Sequence, residues 1–135
     1  MGLASKLSST FSIFLLLVSG ISLIVGAIVI ANIMFIAVNE RKAEIGIRRA
    51  VGARKGDILV QFLMEAVSVA ALGGIIGIIV GIAGLKLLSA FIKMPSALLW
   101  QPMALALVSA IIVGLIAGIQ PARKAANLNP IEALS

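Results

Sequence analysis

The chain has no cysteine, no histidine and no tyrosine, one tryptophan, and only 12% charged residues in 135. Without Cys or His there is no disulfide framework, thiolate nucleophile, imidazole base or Cys/His zinc site. Soluble domains of this size carry about 25% charged residues, so the shortage of charge, together with 61% hydrophobic residues, points to lipid as the solvent. Carboxylates are scarcer still, at 5 against 11 Lys+Arg, a formal net charge of +6. Three of the four that lie outside the apolar runs (Glu40, Glu44, Asp57 and Glu132) share one basic loop, where solvated ion pairs account for them better than acid/base or metal chemistry. Neither GxSxG nor GxxxxGK[ST] occurs, which leaves no nucleophile elbow and no phosphate-binding loop. Lys86 and Ser89 share a helix face but have no oxyanion site beside them and read as an interfacial lysine and an ordinary serine.

Residues 7–39, 66–85 and 94–122 carry no ionisable side chain. Each run reaches the roughly 20 residues that an α-helix needs to cross about 30 Å of hydrocarbon. The sequence therefore predicts an all-α membrane protein with three transmembrane helices, at about residues 11–38, 57–92 and 102–121. The whole of 1–135 forms a single membrane domain. Asp57 is the expected N-cap of the second helix, Pro102 opens the third and Pro121 lies near its exit. The first run is far longer than the 7–15 apolar residues of a cleaved signal. Lys86 can snorkel to the interface, residues 93–101 read as an extracytoplasmic loop, and Trp100 suits an interfacial anchor.

Orientation follows from Lys and Arg. Arg41, Lys42, Arg48, Arg49, Arg54 and Lys55 crowd between the first two helices, and Arg123 and Lys124 follow the third. The positive-inside rule puts the 39–56 loop and the 122–135 tail in the cytoplasm and the N-terminus outside. That topology predicts that a further segment precedes this one in a larger permease.

The loop from Asn39 to Asp57 is longer than a connector needs. Within it Ala43, Ile47, Ala50 and Val51 share a helical face, Glu44 and Arg48 form an i,i+4 pair, and Gly52 is a natural C′ stop. This is a short cytoplasmic amphipathic helix. It serves either as an interfacial basic helix on anionic lipid or as a docking lever for a cytosolic partner. Glu65, eight residues beyond Asp57 and so about 12 Å along the helix, falls inside the hydrocarbon if Asp57 marks the interface. It then needs a protein partner, with Arg48 or Arg49 in reach, and is either a linkage between loop and spans or a structural ion pair. Asn32 and Gln120 are amides within or at the edge of spans, suited to interhelical hydrogen bonds. Gly73, Gly77 and Gly81 on the second span, and Gly114 and Gly118 on the third, let backbones approach; packing within the chain is the favoured use.

Several strings go further. Asn32-Ile33-Met34, then Glu40-Arg41-Lys42-Ala43-Glu44-Ile45-Gly46-Ile47-Arg48-Arg49-Ala50-Val51-Gly52-Ala53, resemble the FtsX/MacB-like permease domain of ABC transporters. So do Gln61-Phe62-Leu63-Met64-Glu65-Ala66, Pro121-Ala122-Arg123-Lys124-Ala125-Ala126 and Asn129-Pro130-Ile131-Glu132-Ala133-Leu134, in the family's order and spacing. The resemblance implies four transmembrane helices in the whole permease, with a large extracytoplasmic domain between the first and second, and a dimer working with a separate ATPase. This chain corresponds to the last three helices. It implies a non-catalytic membrane subunit that couples a partner's ATP hydrolysis to export, efflux or lipoprotein release by mechanotransmission. Residues 43–52 correspond to the coupling helix. Glu44, Ile45, Gly46, Ile47, Arg48, Arg49, Val51 and Gly52 are then the expected docking surface, with Glu65 and Asn32 linking it to the spans. The implied partners are the ABC ATPase, a second permease copy or paralogue, and membrane lipid. ATP and magnesium would be held by the ATPase, with no cofactor here. A holin-like oligomeric pore or a membrane scaffold is the alternative class, which has no use for an ordered basic loop. Nucleic-acid binding by the basic loop ranks a distant third and is not expected, since the cluster is short, lacks aromatic residues and faces a membrane surface.

Overall fold

The computed structural model describes residues 2–93, 95 and 97–134. Five helices follow one another: α1 Gly2–Glu40, α2 Lys42–Ala50, α3 Lys55–Ile92, α4 Trp100–Ala126 and α5 Pro130–Ala133, with no strand among the described residues. Of these α1, α3 and α4 are long and apolar enough to cross a membrane. The chain is a multi-pass, all-α membrane protein.

Several boundaries move. At 39 and 38 residues, α1 and α3 run about 58 Å at 1.5 Å per residue, well beyond a hydrocarbon core. The second long helix starts at Lys55 with Arg54 at the N-cap, and Asp57 is not the cap: its carboxylate, one turn in, accepts the Arg54 N–H at 3.2 Å. The third begins at Trp100 and passes through Pro121 to Ala126. A proline inside a helix removes one i→i−4 bond. Here it is tolerated where Pro121, Ala122, Ala125 and Ala126 are buried against other helices. The loop between α3 and α4 is correspondingly short; Lys93 leaves α3 at φ 53°, and the parts of the 93–101 loop at Met94 and Ser96 lie outside the described residues, as do Met1 and Ser135.

The core is at one end. Met34 and Val38 of α1, Ile45 of α2, Ile58, Phe62 and Ala66 of α3, and Ala122, Ala125 and Ala126 of α4 form a single buried cluster. The apolar mid-sections of the spans stay largely exposed, as expected where the solvent is itself apolar and gives no hydrophobic drive to associate. At the charged end, water supplies that drive, and the helices close over Phe62 and Val38.

Helices α3 and α4 share the most extensive interface, and α1 leans mainly on α4. Small residues make the α3–α4 approach possible. A Cβ at Gly114 would collide with that of Ala70, and one at Gly118 would come within 2.5 Å of the Cβ of Ala66. Gly74 lies against Leu107 and Ala110, but Gly73, Gly77 and Gly81 have nothing within 4 Å of a Cβ position. Packing within the chain thus explains the glycines of α4 and not the Gly73/Gly77/Gly81 repeat, which faces outward.

Candidate functional site

The α1–α2 junction is a single residue. Arg41 N–H donates to the Ala37 carbonyl at 3.1 Å and the Arg41 carbonyl accepts from Ile45 N–H at 3.0 Å, so the hydrogen-bond ladder passes almost unbroken from span to short helix. At the other end Gly52 adopts φ +110°, with Gly52 N–H donating to the Arg49 carbonyl at 3.2 Å and Ala53 N–H to that of Arg48 at 3.0 Å. This pair of bonds is a Schellman stop, and the left-handed residue in it favours glycine for want of a Cβ. The sequence-predicted amphipathic helix is therefore present, with both ends held.

Its two sides differ. Ile45 is 4% exposed and joins Ile58 and Phe62 in the core, and Gly46 is buried against the C-terminal segment. These two residues of the expected docking set point into the molecule. Among the other expected docking residues, Glu44, Ile47, Arg48, Val51 and Gly52 are exposed and Arg49 is half-buried. Ile47 is 54% and Val51 83% exposed. Together with exposed Ala43 and Ala50 they form an apolar stripe edged by Glu44 and Arg48.

Arg48 is the main polar tie. Its Nη2 holds Glu44 Oε1 at 2.7 Å, the i,i+4 pair expected from spacing, and its Nη1 donates to Gln61 Oε1 on α3, also at 2.7 Å. Arg49 turns the other way and donates to the Ala53 carbonyl at 3.1 Å. The hollow between α2 and α3, lined by residues including Arg41, Arg48, Ile58 and Phe62, measures about 10 Å³. That volume barely admits one water, so the junction is a packed joint and not a ligand pocket.

Glu65 pairs with Arg41, at 3.4 Å, and not with Arg48 or Arg49. Arg41 immediately follows α1, so Glu65 is level with the end of that span. The charge-free stretch 66–85 starts one residue later. The first turns of α3 extend below it alongside α2. The Glu65 side chain is 41% exposed, and the Arg41 guanidinium supplies the partner that a carboxylate at or near hydrocarbon needs. Asn32 is exposed on α1, about 160° around the helix from the buried Met34 at 100° per residue, without a hydrogen-bond partner among the described residues. It is not joined to Glu65. Lys124 of α4 lies 5.4 Å from the centroid of the Phe35 ring of α1, closing the same end of the bundle.

Comparison with known proteins decides the family. The model of the FtsX-like permease C-terminal family matches residues 10–130. The chain belongs to the FtsX-like permease family. Among its relatives, the macrolide export ATP-binding/permease protein MacB of Sodalis glossinidius is 45% identical over 132 residues, covering 96% of this chain and 20% of that protein. MacB of Brucella abortus is 46% identical over 98% of this chain and 20% of its own length. The ABC transporter permease YknZ of Bacillus subtilis is 47% identical over 117 residues, 87% of this chain and 30% of YknZ. This FtsX-like chain thus spans a fifth to under a third of the relatives it matches. The match covers α2 and the joint beneath it and ends at Pro130, the first residue of α5.

Proposed function

We propose that this chain is the force-transmitting membrane part of an ABC-type permease, and that α2 is where an ABC ATPase subunit or domain bears on it. The observation that carries the reading is the division of α2: one side is locked to the chain by Ile45 and Gly46, while Ile47, Ala50 and Val51 stand exposed beside the Glu44–Arg48 pair. An exposed apolar stripe on a helix braced from behind suits docking, since a push on it moves the scaffold and not the helix alone.

In this mechanism ATPase closure displaces α2. Ile45 against Ile58 and Phe62, and Arg48 against Gln61, carry the displacement to α3; the continuous ladder through Arg41, with its Glu65 pair, carries it to α1. Nucleotide and magnesium are held by the ATPase, so this chain works as a non-catalytic subunit. The MacB relatives have ATP-binding and permease functions in one name, which favours an ATPase partner of this kind. α2 and the C-terminal segment face the cytoplasm of a bacterial inner membrane and a second permease copy completes the assembly, with lipid around the exposed mid-sections. The work done is of the export, efflux or lipoprotein-release type.

The test is co-purification in detergent with the ATPase, comparing the wild type with Ile47→Asp/Val51→Asp and with Arg48→Glu/Arg49→Glu. Association lost in both variants, with unchanged folding, supports docking at α2. Association absent in the wild type, or equal in all three, removes the reading and favours an ATPase-independent pore or scaffold.

A further inference from the structure

Four residues of helix cannot stand alone, because nucleation fixes several dihedrals for a single hydrogen bond. α5 nevertheless forms. Ile131 N–H donates to Asn129 Oδ1 at 3.3 Å, Pro130 occupies the first turn, and Ala133 N–H donates to the Asn129 carbonyl at 2.9 Å. Such caps set the shape of a turn but do not hold it in place. What holds it is α2, the helix it packs on. A Cβ built at Gly46 would lie 2.7 Å from the Cβ of Ala133, 3.6 Å from Cγ of Leu134 and 3.7 Å from the Pro130 carbonyl oxygen. The two helices touch where neither has more than a methyl group. Glycine is among the poorest residues for a helix interior, so its place in a nine-residue helix calls for a contact of this kind.

We propose that α5 is a latch that fixes the roll of the docking helix and ties it to α4. Ile45 and Gly46 are adjacent and so point about 100° apart around α2. Ile45 rests on α3 and Gly46 on α5. The ladder through Arg41 and the Arg48–Gln61 tie hold α2 on the α1 and α3 sides; the contact with α5 adds a support in a different direction and so sets its rotation and the direction in which Ile47 and Val51 face. The latch is itself anchored. α4 ends in buried Ala125 and Ala126, Leu128 packs on the same core, and only Asn127 to Asn129 separate α4 from α5. Displacement of α2 is therefore delivered to α4 as well as to α1 and α3. This rests on the docking reading of α2, and Gly46 and Ala133 are positioning residues in it.

The test is a cycle of Gly46→Ala, Ala133→Gly and the double variant in the intact permease in nanodiscs. Hydrogen exchange of segments 42–52 and 128–134 is measured without ATPase, and ATPase association afterwards. Gly46→Ala is expected to speed exchange in 128–134 at least tenfold and weaken association at least tenfold. The double variant, which removes the opposing methyl, is expected to return both to within about threefold of wild type. Alanine raises intrinsic helix propensity, so faster exchange could not come from α2 alone. Unchanged exchange in Gly46→Ala, or no rescue by Ala133→Gly, overturns the latch; so does loss of association without a change in exchange, which would mean that the partner's backbone meets Gly46 directly. A wild type that binds no ATPase removes the docking reading, while the exchange cycle still decides whether the Gly46–Ala133 contact holds the tail.

Discussion

Arg48 on α2 donates to Gln61 on α3 at 2.7 Å while its second terminal nitrogen holds Glu44 at the same distance, so one guanidinium fork joins the short helix to a span. Lysine keeps the charge but has a single terminal nitrogen without the planar fork. Arg48→Lys is expected to lower stability by no more than about 1 kcal/mol, because the pair is half-exposed, yet to reduce stimulation of the ATPase several-fold. Thermal melts in detergent and ATPase assays separate the two effects. Gln61→Leu should behave in the same way.

Buried and exposed positions of α2 should separate folding from docking. Ile45→Asp places a charge in the core beside Phe62 and is expected to abolish folded protein. Ile47→Asp and Val51→Asp alter side chains that touch little and should fold normally, with association with the ATPase falling at least tenfold. Size-exclusion profiles and co-purification together check both statements.

The Arg41–Glu65 pair bridges 24 residues of sequence but is exposed on both sides. Its coupling in a double-mutant cycle should be about 0–1 kcal/mol and should shrink in high salt. Arg41→Glu/Glu65→Arg should recover most of what either single change loses, read as melting temperature at low ionic strength.

Gly114→Val and Gly118→Val force branched side chains into Ala70 and Ala66. Overpacking of about 1–3 kcal/mol or more is expected, seen as lower yield of monodisperse protein. Gly77→Ala meets open space in the chain and should be neutral or slightly stabilising for the isolated protomer.

Asn32 carries an amide on the outward side of α1. If a second copy covers that side, a single cysteine in place of Asn32, in a chain otherwise free of cysteine, should give a cross-linked dimer on mild oxidation in membranes. A cysteine in place of Met34, which is buried, should not. Gel electrophoresis without reductant reads the difference.

Much was legible before any coordinates. Three charge-free runs stand for three spanning helices because bilayer thickness sets length, and length is a property of consecutive residues. The amphipathic helix was legible for the same reason: the Glu44–Arg48 spacing and the Gly52 stop are local, and both stand in the structure. Arg41 and Gln61 were not recognised as partners. No local pattern links Arg41 to Glu65 or Arg48 to Gln61, and the only signal was that the Gln61–Ala66 string belonged to the family pattern.

Composition, periodicity and charge distribution by themselves determined an all-α membrane chain with a basic connecting helix. Tertiary structure alone decided which side of that helix is free. A helical repeat shows that Ile45 and Gly46 differ in direction from Ile47 and Val51, but not which pair meets protein. That depends on where α3 and the C-terminal segment return to pack on α2. It also decided the fate of Pro121 and the C-terminal residues, since a proline ends a helix in isolation but is carried within one when its neighbours are small enough to be buried together.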